Sequence, residues 1–254
     1  MTFFHLLLLF AGGIIAGLYA SSVGGGGLLA LPFLLLTGLP LHIALGTQRL
    51  AAVILELASS VKFYKEKKIN FKVALPLGVI AGLGSVVGAN FVISINENIL
   101  NLIIAGLLIL VYFLFFFTKK KIGFERHKLT HKHHFLLIIC TFLIGIWGGF
   151  FGAGFGIFSV MLLVFFGFPF FEGAAISRVI GFCMSGVATV VFAQHGLINY
   201  VYGVTLGLGY ALGGWIGIGI ALKKGEEYFR GLLAFVIIIS VIKLVLNFFG
   251  ITFL

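Results

Sequence analysis

Two arginines, Arg49 and Arg178, stand inside long apolar runs. A guanidinium stays charged and presents planar donors that match oxyanions. Placing one at membrane depth costs about 2.5–3.5 kcal/mol on insertion scales. Each arginine follows a Gly-x-Pro triplet at the same distance, Gly38-Leu39-Pro40 in one case and Gly167-Phe168-Pro169 in the other. A cost incurred twice in one context points to a use, and the chemistry on offer is the binding of a small anion. The alternatives are snorkelling to a nearby interface, or pairing with a carboxylate such as Glu56 or Glu172. Thr47 and Gln48 beside Arg49, and Ser177 beside Arg178, are placed to complete an anion's hydrogen bonds or to bond their own helix backbone. Glu56 has no acidic counterpart, since Ser185 occupies the matching position. It reads either as a proton carrier for coupling or as a partner of Arg49, because i and i+7 share a helix face.

A glycine cluster precedes each arginine: Gly24–Gly27, and Gly152, Gly154 and Gly156 in the second case. Glycine costs roughly 1 kcal/mol per residue in a helix interior. Helices are therefore predicted to break at both places. Inside a bilayer, broken backbone is tolerated only where protein buries it or where it lines a cavity. Gly25, Gly26 and Gly27, with Gly154 and Gly156, are expected to open half-helices whose free N–H groups and positive dipole ends face the anion. Close helix packing through small residues is the other reading. A nucleotide P-loop is excluded, because no Lys-Ser/Thr follows either cluster.

The elements that must position these groups are duplicated. At an offset of 129 the chain aligns with itself without a gap: His5 meets His134, Arg49 meets Arg178, Asn70 meets Asn199 and Glu97 meets Glu226. Gly78, Gly84 and Gly88 meet Gly207, Gly213 and Gly217. Matches of Pro, Arg, Asn and Glu at one offset are hard to obtain by chance in so apolar a chain. They indicate an internal duplication. Residues 1–117 form the first repeat, 118–133 a basic linker and 134–254 the second repeat. In the first repeat, apolar segments run over about 3–22, 28–38, 42–62, 71–93 and 98–117. In the second they run over about 134–151, 156–168, 172–193, 200–222 and 228–249. Roughly 20 apolar residues span a bilayer, so most of these are full crossings. The second segment of each repeat is shorter and reads as a half-helix or the return arm of a re-entrant hairpin.

Composition bounds the class. The 254 residues are 61% hydrophobic and 9% charged, too little charge to cover a soluble surface. The fold class expected is all-α and polytopic, with about 8–10 membrane segments. The net charge of +10 sits in short loops, so it reads as a topology signal and a contact with anionic lipid rather than with nucleic acid. Met1–His5 carries no Lys or Arg, so a cleavable secretory leader is not expected. Lysines cluster at 62–72 and again in the linker, which places both on the cytoplasmic side. In the second repeat the basic loop moves to Lys223, Lys224 and Arg230. A flipped charge bias is what two inverted-topology repeats require, with both termini outside. The His-rich run His127–His134 lacks the carboxylates or cysteines of a closed metal site, so no metal and no cofactor are expected. Cys140 and Cys183 read as small buried residues.

These motifs carry a resemblance. The pattern G-G-G-G-x4-P (Gly24 to Pro32), followed by G-L-P-x3-A-L-G-T-Q (Gly38 to Gln48), resembles the TauE/SafE family of sulfite exporter-like membrane permeases. So do G-G-F-F-G-A-G-F-G (Gly148 to Gly156) and G-F-P-x4-A-A-I-S-R (Gly167 to Arg178). The second repeat departs by having Met161 opposite Pro32 and Ile176 opposite Thr47. The resemblance implies transport of sulfite, organosulfonates or similar small anions across a prokaryotic cytoplasmic membrane. The function expected is a secondary transporter working by alternating access. An anion channel is the alternative, and a membrane-embedded enzyme a more remote one, since no catalytic set is present. The partners implied are a small anionic substrate and the lipid bilayer, with homo-oligomerisation left open.

Overall fold

Where the sequence places Gly-x-Pro, the backbone turns twice in the same way. Gly38 and Gly167 take φ of +80° and +87°, the left-handed conformation that ends a helix. Pro40 and Pro169 then cap the next helix with φ of −54° and −56°. The computed structural model describes residues 3–23, 26–100, 102–104, 106–107 and 131–224. Among them are α1 (Phe3–Val23), α2 (Gly27–Leu35), α3 (Leu41–Lys65), α4 (Phe71–Ser94), α5 (His131–Phe150), α6 (Phe155–Phe165), α7 (Phe170–Gln194) and α8 (Tyr200–Lys224). No strand occurs among the described residues. The architecture is that of an all-α polytopic membrane protein, as the composition requires. Five helices (α1, α3, α4, α7 and α8) are long and apolar enough to cross a membrane. The expected segment 228–249, most of 98–117 and most of the linker lie outside the described residues. The linker gives way to helix at His131, three residues before the expected start of the second repeat. Cys140 and Cys183 are partly exposed rather than buried.

Both glycine clusters interrupt their helices, between α1 and α2 and between α5 and α6. The second break uses two left-handed glycines, Gly152 (φ +66°) and Gly154 (φ +77°). α2 folds back along α1: Gly26 lies against Ala16 and Ala20, and Gly12 against Phe33. It is thus the return arm of a hairpin.

The helices of one half pack mainly on helices of the other, through glycine. A Cβ on Gly13 would overlap the Leu206 carbonyl, and one on Gly17 the Tyr210 carbonyl. In return, Gly209 faces Phe10 and Gly213 faces Ile14. Contact advances along both helices together, so α1 and α8 run parallel. The α4–α5 pair repeats this: Gly84 on Phe142, Gly88 on Ile146, Gly145 on Ala81 and Gly149 on Ser85. α3 also runs parallel to α8, with Gly203 on Leu50 and Gly207 on Ile54, and α4 to α7, with Gly78 on Val179 and Gly82 on Val187. α3 and α7 cross the centre in opposite directions, since Gly46 meets Phe192 while Gly181 meets Glu56. One set, α1, α3 and α8, therefore points one way, and α4, α5 and α7 point the other. In lipid no hydrophobic drive pulls helices together, and this backbone-to-backbone approach supplies the van der Waals contact instead.

Gly145→Leu pushes a side chain into the Ala81 backbone, whereas a Cβ at Gly186 meets nothing within 4 Å. Overpacking of this kind costs about 1–3 kcal/mol. Gly145→Leu is expected to lower the thermal midpoint of the detergent-purified protein by several degrees or to abolish monodisperse protein. Gly186→Leu is expected to leave it unchanged. Equal midpoints for the two variants contradict glycine-mediated packing at α4–α5.

Candidate functional site

α3 starts at its Pro40 cap and carries Thr47, Gln48 and Arg49 two turns inward. α7 does the same with Ser177 and Arg178 from Pro169. Arg49 is 3% exposed and Arg178 is 2% exposed, so neither snorkels. Arg49 Nη1 donates to the Gly148 carbonyl at 2.8 Å. Its Nη2 donates to the Phe151 carbonyl at 3.0 Å and to Gln48 Oε1 at 2.8 Å. Gly148 and Phe151 close the C-terminal end of α5, where helix carbonyls lack intrahelical partners and the dipole is negative. Arg178 mirrors this on the other half: its Nη2 donates to the Ala20 carbonyl in the last turn of α1, at 2.8 Å. Each arginine thus reaches across and holds the broken helix end of the opposite half.

The rest of each guanidinium shell differs. Arg178 Nη1 bridges both oxygens of Glu56 at 3.3 Å. Glu56 is 6% exposed, so this is a buried ion pair. The expected pairing of Glu56 with Arg49 is therefore corrected. Seven residues along one helix separate the two by roughly 10 Å. Arg178, arriving on the antiparallel α7, lies level with the carboxylate. Arg49 has instead a neutral shell of two carbonyls and an amide. Gln48 is the link between breaks, since its Nε2 also donates to the Gly27 carbonyl at 2.7 Å. Gly27 lies against Ala153, and Trp147 Nε1 donates to the Ala153 carbonyl at 3.1 Å.

A cavity of about 30 Å³ sits where the two breaks meet. That is room for one or two water molecules. Gly26, Gly27, Gln48, Arg49 and Glu56 line it, as does Phe155 at the start of α6. The first residues of both half-helices, α2 and α6, therefore flank it, and their N–H ends are the positive ends. Sequence reasoning does not single out several of the lining residues, and three of these bear on the site. Gly152 is one: a Cβ there would overlap the Arg49 guanidinium, and its φ is +66°. The signal was its place in the glycine cluster. Ser185, the counterpart of Glu56, is the second. Tyr210 is the third, with a buried hydroxyl that has no hydrogen-bond partner. A tyrosine within a glycine-rich span gave little warning.

Arg178 does not line the cavity itself and is joined to it through Glu56; other expected residues also lie off the cavity. Thr47 is corrected: its hydroxyl accepts from the Asn199 backbone N–H at 2.9 Å and fixes the α7–α8 turn. Ser177 is buried with its Oγ unpartnered, but unlike its counterpart Gln48 it does not line the cavity. Gly154 is the left-handed cap of α6, and Gly156 is buried within that helix. Gly25 lies outside the described residues. Among the described residues no group of three or more His, Cys, Asp or Glu could hold a metal ion.

A profile of the family described as "Sulfite exporter TauE/SafE" matches residues 9–244. A probable membrane transporter protein of Sinorhizobium sp. is 31% identical over 244 residues, covering 95% of this chain and 93% of the relative. Another, of Haemophilus influenzae, is 30% identical over 241 residues, covering 94% of each. The probable membrane transporter protein YfcA of Escherichia coli K12 is 26% identical over 245 residues, covering 96% of this chain and 90% of the relative. No solved structure matches the chain. The chain belongs to the TauE/SafE family and is a multi-pass membrane protein of a transporter family.

Three substitutions test the arginine shells. Gly152→Ala is expected to displace the Arg49 side chain and lower the thermal midpoint, because neither φ nor space admits a Cβ. Arg178→Ala leaves a buried carboxylate unpaired, a loss of about 3–5 kcal/mol in comparable buried pairs. The double variant Arg178→Ala/Glu56→Gln should recover much of that loss in the same melting assay. A double variant no more stable than Arg178→Ala alone argues that the pair is not held as described.

Proposed function

We propose that this member of the TauE/SafE family is a secondary transporter that moves small sulfur-containing anions, such as sulfite or an organosulfonate, across the cytoplasmic membrane by alternating access. The observation that carries this reading is the charge at the centre. Two guanidiniums are buried there, and among the described buried residues one carboxylate accompanies them. An ion held away from water is costly unless it is paired. Arg49, with its neutral shell, provides a buried positive charge beside a cavity and two half-helix N-termini. That combination suits a small oxyanion as a transient partner. The family description supplies the sulfur chemistry.

The helix directions support a site between inverted repeats. The equivalent pairs α1 and α5, α3 and α7, and α4 and α8 belong to oppositely directed sets. We read the halves as inverted copies, with the lysine-rich 62–72 region on the cytoplasmic side. The centre is tight, which suits a carrier that closes over its guest more than an open pore. Nothing in the sequence recognises ATP, so the driving force is an ion gradient or that of the anion itself.

Charge-assisted hydrogen bonds contribute about 1.5–3 kcal/mol each. Losing one such bond to the guest corresponds to a roughly 10- to 100-fold fall in transport. Arg49→Ala is expected to show that fall for sulfite or sulfonate uptake into proteoliposomes. Arg49→Lys, which keeps charge but not the planar fork, should lie between it and the unmodified protein. Undiminished uptake in both Arg49→Ala and Arg178→Ala, with protein reconstituted at normal yield, sinks the assignment.

A further inference from the structure

The centre has two fixed cations and one titratable anion. This asymmetry comes from the duplicated position, where one repeat has Glu56 and the other Ser185. Both line the cavity. The charged or titratable groups that face Glu56 are few. Arg178 from α7 bonds it, Arg49 acts on it from its own helix, and Tyr210 comes from α8. The remaining elements at the cavity present Ala20, Gly27, Gly152 and Phe155, none of which titrates. The centre therefore carries a net charge of +1 when Glu56 is ionised and +2 when it is protonated.

An uncancelled charge held away from water is costly. A guest is held best when its charge cancels that of the centre. We propose that Glu56 sorts guests by charge, so that a monoanion binds with Glu56 ionised and a dianion binds with Glu56 carrying one proton. This rests on the anion-transport reading above. The proton comes from water on the side where the dianion enters, resides on a Glu56 carboxyl oxygen, and leaves to water on the opposite side with the dianion. With either guest each turnover moves one net negative charge. The structure supplies donors for the exchange. Once Glu56 is neutral, Arg178 Nη1 is free to turn to an oxygen of the guest. Arg178 Nε, buried and without a hydrogen-bond partner, is a second donor on the same guanidinium. The unpartnered Tyr210 hydroxyl at the cavity is a third.

The test uses the full chain in proteoliposomes near neutral pH, with guests of fixed charge. Methanesulfonate is the monoanion; sulfate and thiosulfate are the dianions. Radiolabel uptake, lumenal pH and charge movement are recorded together. In the unmodified protein, dianion uptake should acidify the lumen by about one proton per anion, while methanesulfonate uptake leaves lumenal pH unchanged. The charge-to-flux ratio should be about one for both classes. Glu56→Gln should carry dianions without a proton and raise their ratio to about two. It should also reduce methanesulfonate uptake about tenfold or more. Glu56→Asp, which keeps a titratable group, should restore proton movement. The unmodified protein decides the matter even where a variant fails to fold. Protons moving with both classes or with neither, or uptake of one class alone, overturns the charge-sorting role and leaves transport standing. No uptake of any of the three anions overturns this role and the transport reading together.

Discussion

The arrangement depends on how two guanidiniums are accommodated away from water. An arginine in a low-dielectric interior must have its donors filled, and the structure fills them with helix ends. Breaking α1 and α5 at glycine clusters leaves carbonyls without intrahelical partners at Ala20, Gly148 and Phe151. Those carbonyls need donors as much as the arginines need acceptors. The two deficits cancel because each is met from the opposite half of the chain: Arg178 on Ala20, and Arg49 on Gly148 and Phe151. Neither half supplies the guanidinium that holds its own broken helix end. The halves are tied by need, and the tie lies at the level of the two glycine breaks.

The glycines along α1, α4, α5 and α8 serve the same constraint. An arginine side chain has limited reach, so the helix bearing it must stand close to the helix end it holds. Gly13, Gly17, Gly209 and Gly213 bring α1 against α8, and Gly84, Gly88, Gly145 and Gly149 bring α4 against α5. α3 and α7 cross in the space between. Gly152 completes the approach at the finest scale, leaving no Cβ where the Arg49 guanidinium lies.

Much of this was legible in the sequence and some was not, for a physical reason. The bounds of the described helices and both breaks follow from local rules about glycine, proline and apolar length. The offset of 129 gave the matching positions. Partners across the halves were not legible, because they depend on direction and register between helices far apart in sequence. Glu56 looked like a partner for Arg49 on its own helix face and belongs to Arg178 from an antiparallel helix. Thr47 looked like a ligand and fixes a turn through Asn199. Tyr210 was not legible, and Ser185 only as the counterpart of Glu56, since a lone polar residue in a span has meaning only once its neighbours are known.

The crossed contacts bear on how a guest and the two halves affect one another. On the transport reading, an oxyanion that takes donors from Arg49 takes them from Gly148 and Phe151, the end of α5. One that takes donors from Arg178 does so at the expense of Glu56 or of Ala20, the end of α1. Binding therefore weakens contacts that hold the halves in this arrangement, and leaving restores them. A ligand shifts an equilibrium only by its differential affinity for the two states. Here the differential is built into shared donors, because the guanidinium N–H groups that recognise the anion are those that join one repeat to the other. The asymmetry of the two shells then matters. The Arg49 shell is neutral and is displaced without separating an ion pair. The Arg178 shell includes Glu56 and is displaced only with that carboxylate released or neutralised. The guest is thus expected to meet Arg49 first, with the second contact waiting on Glu56.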